Sequence, residues 1–292
     1  MNILTFDIEE WYLEKSFHGN RKERYELFDR YLGQILDLLE IQQTKATFFC
    51  LGKMALDFPL VVKQIAERGH EIACHSDKHV WLNKMSYKEA EEDTRVAIDS
   101  LEQLLGEKIK GYRAPAFSIG EYNKWAFEIL HKYGIEYDAS VYPAARDFGG
   151  FPSFGHKTPV IISYNGIEIK EFPICMTKLL GKDMAYSGGG YFRLFPLWYV
   201  LRIARKSEYV MTYFHIGDLL PASKRVMTRL EYETYFKEKG TFFNRYKRFA
   251  KSNMGRNGTL KKMTKLITKL ETINIEQTLQ QIEWDKSEKV FL

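Results

Sequence analysis

An α/β barrel of parallel strands wound by helices, followed by a basic helical extension, is the fold the sequence predicts, on three observations. Short apolar runs alternate with longer amphipathic ones through most of the chain, the order that gives βα repeats and a parallel sheet. Polar residues suited to catalysis stand just past the ends of the short runs, where barrels of this kind build their sites. The 292 residues, 45% of them hydrophobic, suffice for one large core or two small ones.

Each element follows from local pattern. Residues 2–7 read as a buried strand ending in acidic residues. Residues 24–39 set Leu27, Tyr31, Ile35, Leu38 and Leu39 at helical spacing. Residues 46–50 form a strand followed by Gly52, and residues 59–68 a helix stopped by Gly69. Residues 71–74 are the next strand and lead into His75. Residues 87–105 are a long amphipathic helix with Gly106 as its stop. Residues 110–113 and 135–141 are strands around a helix at 123–132. Residues 160–163, 167–172 and 209–214 supply later strands, and after Pro221 the chain turns helical. The expected organisation is a barrel over 1–220, with 143–200 as an elaborated loop region, and an extension over 221–292 packed on the same domain.

Charge is uneven. Residues 221–270 hold 14 Lys/Arg and 3 Asp/Glu, a local +11, within a chain whose net charge is +5. Such a segment suits phospholipid head groups or a pyrophosphate-linked substrate, or it is a set of solvated helix faces. No nucleic-acid-binding module accompanies it, so nucleic acid is not an expected partner. Cys50, Cys74 and Cys175 are odd in number and widely spaced, against a disulfide framework and in keeping with a reducing compartment. The acidic start does not resemble a signal peptide, and the expected location is cytoplasmic, with the basic region a candidate for peripheral contact with an anionic membrane.

Five strand ends carry polar groups of interest: Asp7 with Glu9, His75 with His79, Arg113, Asp138 and His215. Two histidines four residues apart share a face if they lie on one helical turn and can reach a single divalent ion. A carboxylate completes such a site. Asp7 and Glu9, two apart at a strand end, project to the same side, so one can bind the ion while the other acts as a base. Cys74 alternates away from His75 and reads as core.

In this order the motifs resemble the polysaccharide deacetylases with NodB homology, carbohydrate esterase family 4. Thr5-Phe6-Asp7-Ile8-Glu9 resembles the first family motif, TFDDG; His75-Ser76-Asp77-Lys78-His79 matches the second, H-[ST]-x-x-H; and Arg113-Ala114-Pro115-Ala116-Phe117 resembles the third. The resemblance implies a distorted, seven-stranded barrel and a metal-dependent hydrolase that removes N-acetyl groups from an amino sugar in a polysaccharide or its nucleotide- or lipid-linked precursor. It implies Asp7 as base, His75 and His79 as metal ligands and Arg113 as the arginine orienting the base. It further implies an oxyanion donor in the Ala116 N–H, His215 as acid toward the leaving amine, and Asp138 as the acidic residue tuning that histidine. The expected metal is zinc, with Co, Mn, Ni or Fe as alternatives. The chain departs from the family where the usual second Asp is Ile8, so Glu9 is the nearest carboxylate for the metal. This D-x-E start and the stretch Tyr186–Arg193 resemble a branch that also holds related amide hydrolases, which leaves a cyclic-amide substrate open. Ile8 likewise leaves open a catalytically inactive glycan-binding or scaffold protein.

Overall fold

The computed structural model describes residues 1–10, 19–145, 150–179, 181–221, 223–236 and 238–292. In its first half the predicted alternation is present: β1 (Asn2–Ile3), β2 (Thr5–Ile8), α1 (Arg21–Ile41), β3 (Thr47–Cys50), α2 (Gly52–Asp57), α3 (Pro59–Glu67), β4 (Glu71–Cys74), α4 (Tyr87–Leu105), β5 (Gly111–Tyr112), α5 (Ala126–Lys132) and β6 (Tyr137–Asp138). Local chemistry explains the boundaries. In α4, Ser86 and Glu89 form a reciprocal capping box and Gly106 closes the helix in the left-handed conformation. The apolar face of α4 buries Ala97, Ile98 and Leu101. The opening strand is split at Leu4, whose N–H donates to Ile273 O at 2.9 Å as the chain changes partners.

The second half contains β7 (Val160–Tyr164), β8 (Ile167–Glu171), β9 (Met176–Leu179), β10 (Lys182–Ala185), α6 (Gly189–Leu194), α7 (Leu197–Lys206), β11 (Val210–Met211) and β12 (Phe214–His215). It continues with α8 (Arg229–Phe236), α9 (Phe242–Asn253), α10 (Thr259–Ile267), α11 (Ile275–Gln281) and β13 (Lys289–Phe291). The main sheet runs β12-β2-β3-β4-β5-β6-β8-β7-β13. From β12 to β8 every neighbouring pair is parallel, which makes seven parallel strands.

Two departures from the sequence reading stand out. First, β7 and β8 are an antiparallel hairpin, because Asn165 and Gly166 both take positive φ, 47° and 83°, as the turn matching strand twist requires. Second, the helical C-terminal region ends in a strand: β13 pairs in parallel with β7 through Val290 and Ile162. The return of α11 to the body is also tied by polar bonds, since Ile275 N–H donates to Thr47 Oγ1 at 2.8 Å. Among the described residues no helix is long and apolar enough to cross a membrane.

The glycines at 188–190 do more than bend. Gly188 is extended and pairs with Tyr213, and a Cβ there would lie 2.1 Å from the Tyr213 carbonyl oxygen. Close approach of two backbones, rather than flexibility, demands that glycine.

Candidate metal and acid–base site

Strand register assembles the site. Ile8, Cys50, Cys74, Tyr112, Asp138 and Glu171 are successive partners across six parallel strands. One residue further along, at the C-terminal edge, stand Glu9, His75 and Arg113. His215 pairs with Asp7 in the register of β12 and β2. Alternation then sends Asp7 and Glu9 to the same face, and Ile8 into the core, where it is fully buried.

Glu9, His75 and His79 each bring one ligand atom into a cluster whose members lie within 4.8 Å of one another. His75 Nδ1 donates to the Arg113 carbonyl at 2.7 Å, which directs Nε2 to Glu9 Oε2 at 3.2 Å. This is the outer hydrogen bond that fixes the coordinating tautomer of a metal-binding histidine. His79 Nε2 lies 2.5 Å from the same oxygen, yet it is buried without an aligned hydrogen bond. A nitrogen and an oxygen in contact but not aimed at each other fit donors directed at a shared point. Two imidazoles and a carboxylate are a donor set for a divalent ion that keeps positions open for water and substrate.

The two histidines do not share a helical turn, as the sequence reading expected. Residues 75–80 are an irregular loop, in which Ser76 and His79 take φ of 69° and 60°. The loop is held by the Ser76 hydroxyl, which accepts from His79 N–H at 3.1 Å. Ala116 and Phe117, in the turn after Arg113, also have φ of 54°. Four of the six non-glycine residues with positive φ among those described therefore lie in the two loops that follow His75 and Arg113. Such strain persists where surrounding contacts over-determine it.

Arg113 is fully buried. Its Nη1 donates to Asp7 Oδ1 at 2.6 Å and to Thr5 Oγ1 at 2.8 Å. Its Nε donates to Ala139 O at 3.3 Å, and the guanidinium lies 3.9 Å from the Phe49 ring centroid. His215 Nε2 is 3.3 Å from Glu9 Oε1 and 3.7 Å from Asp7 Oδ2. Burial by itself would lower the His215 pKa, but Glu9, Asp218 and Asp7 push it up to about 10. Burial would likewise raise the Glu9 carboxyl, but His79 and His215 hold it well below the ordinary carboxylate range.

Asp138 is a correction. His215 Nδ1 faces Asp218 Oδ2 at 3.2 Å, and Asp218 takes the place the sequence reading gave to Asp138. Asp138 belongs to the strand row of Ile8 and Cys74, so alternation turns it from the site. Its carboxylate accepts from Ser140 N–H and Oγ–H, and Ser140 Oγ accepts from Ala114 N–H at 2.7 Å. Asp138 thus braces the loop after Arg113. Asp218, only three residues past His215 within the turn Ile216–Leu219, was findable from an i, i+3 spacing. Glu10 was also missed: its Oε1 accepts from Gly217 N–H at 2.8 Å, and burial pushes its pKa up to about 7. Trp11, which completes the acidic start, lies outside the described residues.

Glu9, His79, His215 and Asp218 open into a cleft of about 1300 Å³, also lined by Arg245 and Arg248 of α9 and by Arg256 just after it.

A model described as polysaccharide deacetylase matches residues 3–137, and one described as a domain of unknown function (DUF3473) matches residues 139–291. The chain belongs to the DUF3473 family, whose model matches more than half of it, and its residues 3–137 match the polysaccharide deacetylase family. Within this family, the peptidoglycan-N-acetylglucosamine deacetylase of Bacillus cereus is 40% identical over 96 residues, 32% of this chain and 35% of that protein. The peptidoglycan deacetylase of Helicobacter pylori is 29% identical over 108 residues, 37% of this chain and 36% of that one. The chain thus spans about a third of the length of the curated relatives it matches. A Mycobacterium smegmatis structure, solved as a candidate polysaccharide deacetylase, superposes with a TM-score of 0.64 at 16% identity, covering 100% of this chain and 92% of that one. A family 4 pseudoenzyme from Bacillus anthracis gives 0.51 at 14% identity, covering 100% and 69%. At these identities the likeness is one of fold: the polysaccharide deacetylase α/β architecture with a mostly parallel sheet.

Proposed function

We propose that this polysaccharide deacetylase homologue hydrolyses the N-acetyl amide of an amino sugar within a glycan or a glycan precursor. One observation carries the reading. The carbonyl of Arg113 orients His75 toward Glu9 and His79, while the guanidinium of the same residue holds Asp7 beside them. A single arginine therefore positions both the ion-binding cluster and the candidate base.

Glu9, His75 and His79 would hold the ion, and their mixed nitrogen and oxygen donors suit zinc. When bound, such an ion supplies Lewis acidity that activates water and polarises a carbonyl. Asp7, with one oxygen engaged by Arg113, has Oδ2 available to take a proton from the attacking water. His215 carries its proton at neutral pH and delivers it to the departing amine nitrogen, with Asp218 holding Nδ1 and leaving Nε2 toward the reacting centre. The Ala116 N–H, on the turn after Arg113, is assigned to the developing oxyanion, a type of donor whose loss costs about 3 kcal/mol of barrier. The cleft is large enough for several sugar units, and its basic lining accommodates a substrate bearing phosphate, such as a lipid-linked precursor.

The test is acetate release by purified, metal-loaded protein from N-acetylglucosamine oligomers and from nucleotide- and lipid-linked N-acetylated sugars. Metal-dependent acetate release that disappears in Asp7→Asn supports the reading. A metal-loaded protein inert on the whole panel overturns it.

A further inference from the structure

Helix α9 is built inside out. Its twelve residues, FFNRYKRFAKSN, bury none of their side chains. Phe242 is 68% exposed, Phe243 72% and Tyr246 53%, and Met254 just past the helix is 49% exposed. Advancing 100° per residue, Phe242, Tyr246, Ala250 and Phe243 fall within an arc of about 100° on one side of the helix. The other side carries Arg245, Arg248, Phe249 and Ser252, which line the cleft. A surface helix normally does the reverse, turning its apolar arc to the core and its charges to water.

The inward face is mostly polar and firmly tied. Arg245 donates to Gly240 O and Met227 O. Asn253 and the Ser223 backbone exchange a reciprocal pair at 2.9 and 3.0 Å. Arg193 reaches Ser252 O at 2.7 Å, and Arg248 stacks 3.7 Å from the Phe236 ring centroid. Polar bonds hold the helix, and three of its four aromatic side chains, Phe242, Phe243 and Tyr246, are left outward, while Phe249 turns to the cleft. Beside them stand exposed Lys247 and Lys251. From residue 239 to 270 the chain has ten Lys/Arg and no Asp/Glu, so the surroundings of the aromatic arc carry one sign of charge.

Outward aromatics flanked by lysines, on a helix too short to span a bilayer, are what an interfacial helix needs. Rings enter the head-group boundary while cations meet anionic lipid. We infer that the outer face of α9 docks this protein on an anionic membrane surface, with Phe242, Phe243 and Tyr246 inserted and Lys247 and Lys251 against lipid phosphates. Because the inner face of α9 is part of the cleft wall, docking places the cleft next to the bilayer. The inference does not depend on the reaction the cleft performs.

The experiment is flotation of the full chain with vesicles of phosphatidylcholine alone or mixed with phosphatidylglycerol, at low and high salt. Binding is expected to the mixed vesicles and to weaken with salt. Replacing Phe242 and Phe243 by Ser should lower partitioning about tenfold or more through the lost apolar insertion. Lys247→Ala and Lys251→Ala should each lower it about fivefold. Metal content and melting temperature, read on the same variants, should not change, because none of these four side chains lines the cleft or belongs to the core. No binding to the mixed vesicles, equal binding to phosphatidylcholine alone, or equal binding by the double serine variant would each overturn the inference. So would a dimer in solution dissolved by the serine substitutions, which would make a second copy the occupant.

Discussion

The guanidinium of Arg113 meets the carboxylate of Asp7 at 2.6 Å, with the arginine fully buried and the aspartate nearly so. An ion pair so placed persists because Thr5 Oγ1, Ala139 O and the Phe49 ring satisfy the rest of the arginine. Removing one member strands the other. Arg113→Met should therefore cost about 3–5 kcal/mol in denaturant unfolding. Asp7→Asn, which keeps shape and an acceptor for the arginine, should abolish acetate release yet leave metal content unchanged. A folded, active Asp7→Asn enzyme would remove Asp7 from the role of base.

The cluster of Glu9, His75 and His79 predicts linkage between metal and stability. Metal at about a hundred times its Kd should add about 2.7 kcal/mol to unfolding free energy. A chelator should reverse the gain. Glu9→Gln and His79→Gln should each reduce bound metal and shrink that increment. An increment equal to that of the parent protein in both variants would show that the ion binds elsewhere.

Asp218 and Asp138 can be separated by a pH profile. Burial works against the His215 proton, but Glu9, Asp218 and Asp7 raise its pKa to about 10. Deleting a negative neighbour lowers the pKa, so the acid form is lost at lower pH. Asp218→Asn should pull the alkaline limb of kcat/KM downward in pH and reduce kcat by about 10²-fold, the contribution of a positioned general acid. Asp138→Asn should leave that limb in place, since it braces Ser140 and the Ala114 N–H rather than His215. A moved limb in the Asp138 variant and an unmoved one in the Asp218 variant would reverse the assignment.

His70 predicts an acid limb of stability. Burial, with Lys45 and Arg68 nearby, lowers its pKa from 6.5 to about 4, and its Nδ1 accepts from Ala46 N–H at 3.4 Å. The unfolded chain binds this proton more readily between those values. The contribution is thus present above pH 6.5 and is lost as pH falls toward 4. His70→Gln, which accepts without titrating, should flatten the slope of stability against pH in that window.

The glycines at and just before the start of α6 differ in what they tolerate. A Cβ on Gly188 meets the Tyr213 carbonyl oxygen at 2.1 Å, whereas one on Gly190 finds only Arg193 Nη2 at 3.6 Å. Gly188→Ala should destabilise by about 1–3 kcal/mol through forced backbone movement. Gly190→Ala should be neutral or stabilising by up to about 1 kcal/mol. Equal melting temperatures for the two variants would contradict the close approach.

Much of this protein was legible in its residues. Apolar periodicity located the strand run through β6 and the helices α1, α3 and α4, because repeat length and capping are local properties. Alternation along a strand separated Ile8 and Cys74, which face the core, from Glu9 and His75, which face the site. The residue types and their order named seven of the nine candidate site positions that the fold brings to that edge or to its loops, Asp218 and Glu10 being the other two. What the chain alone could not reveal depends on partners distant in sequence. His75 and His79 converge through a strained loop held by Ser76, not through a helical turn. The partner of His215 is Asp218 rather than Asp138, because the row of the sheet a residue occupies decides which way it faces. The strand β13 and the outward aromatics of α9 have the same origin. A short apolar stretch carries no label saying whether it will be covered, and only packing against the remainder of the chain decides what stays exposed.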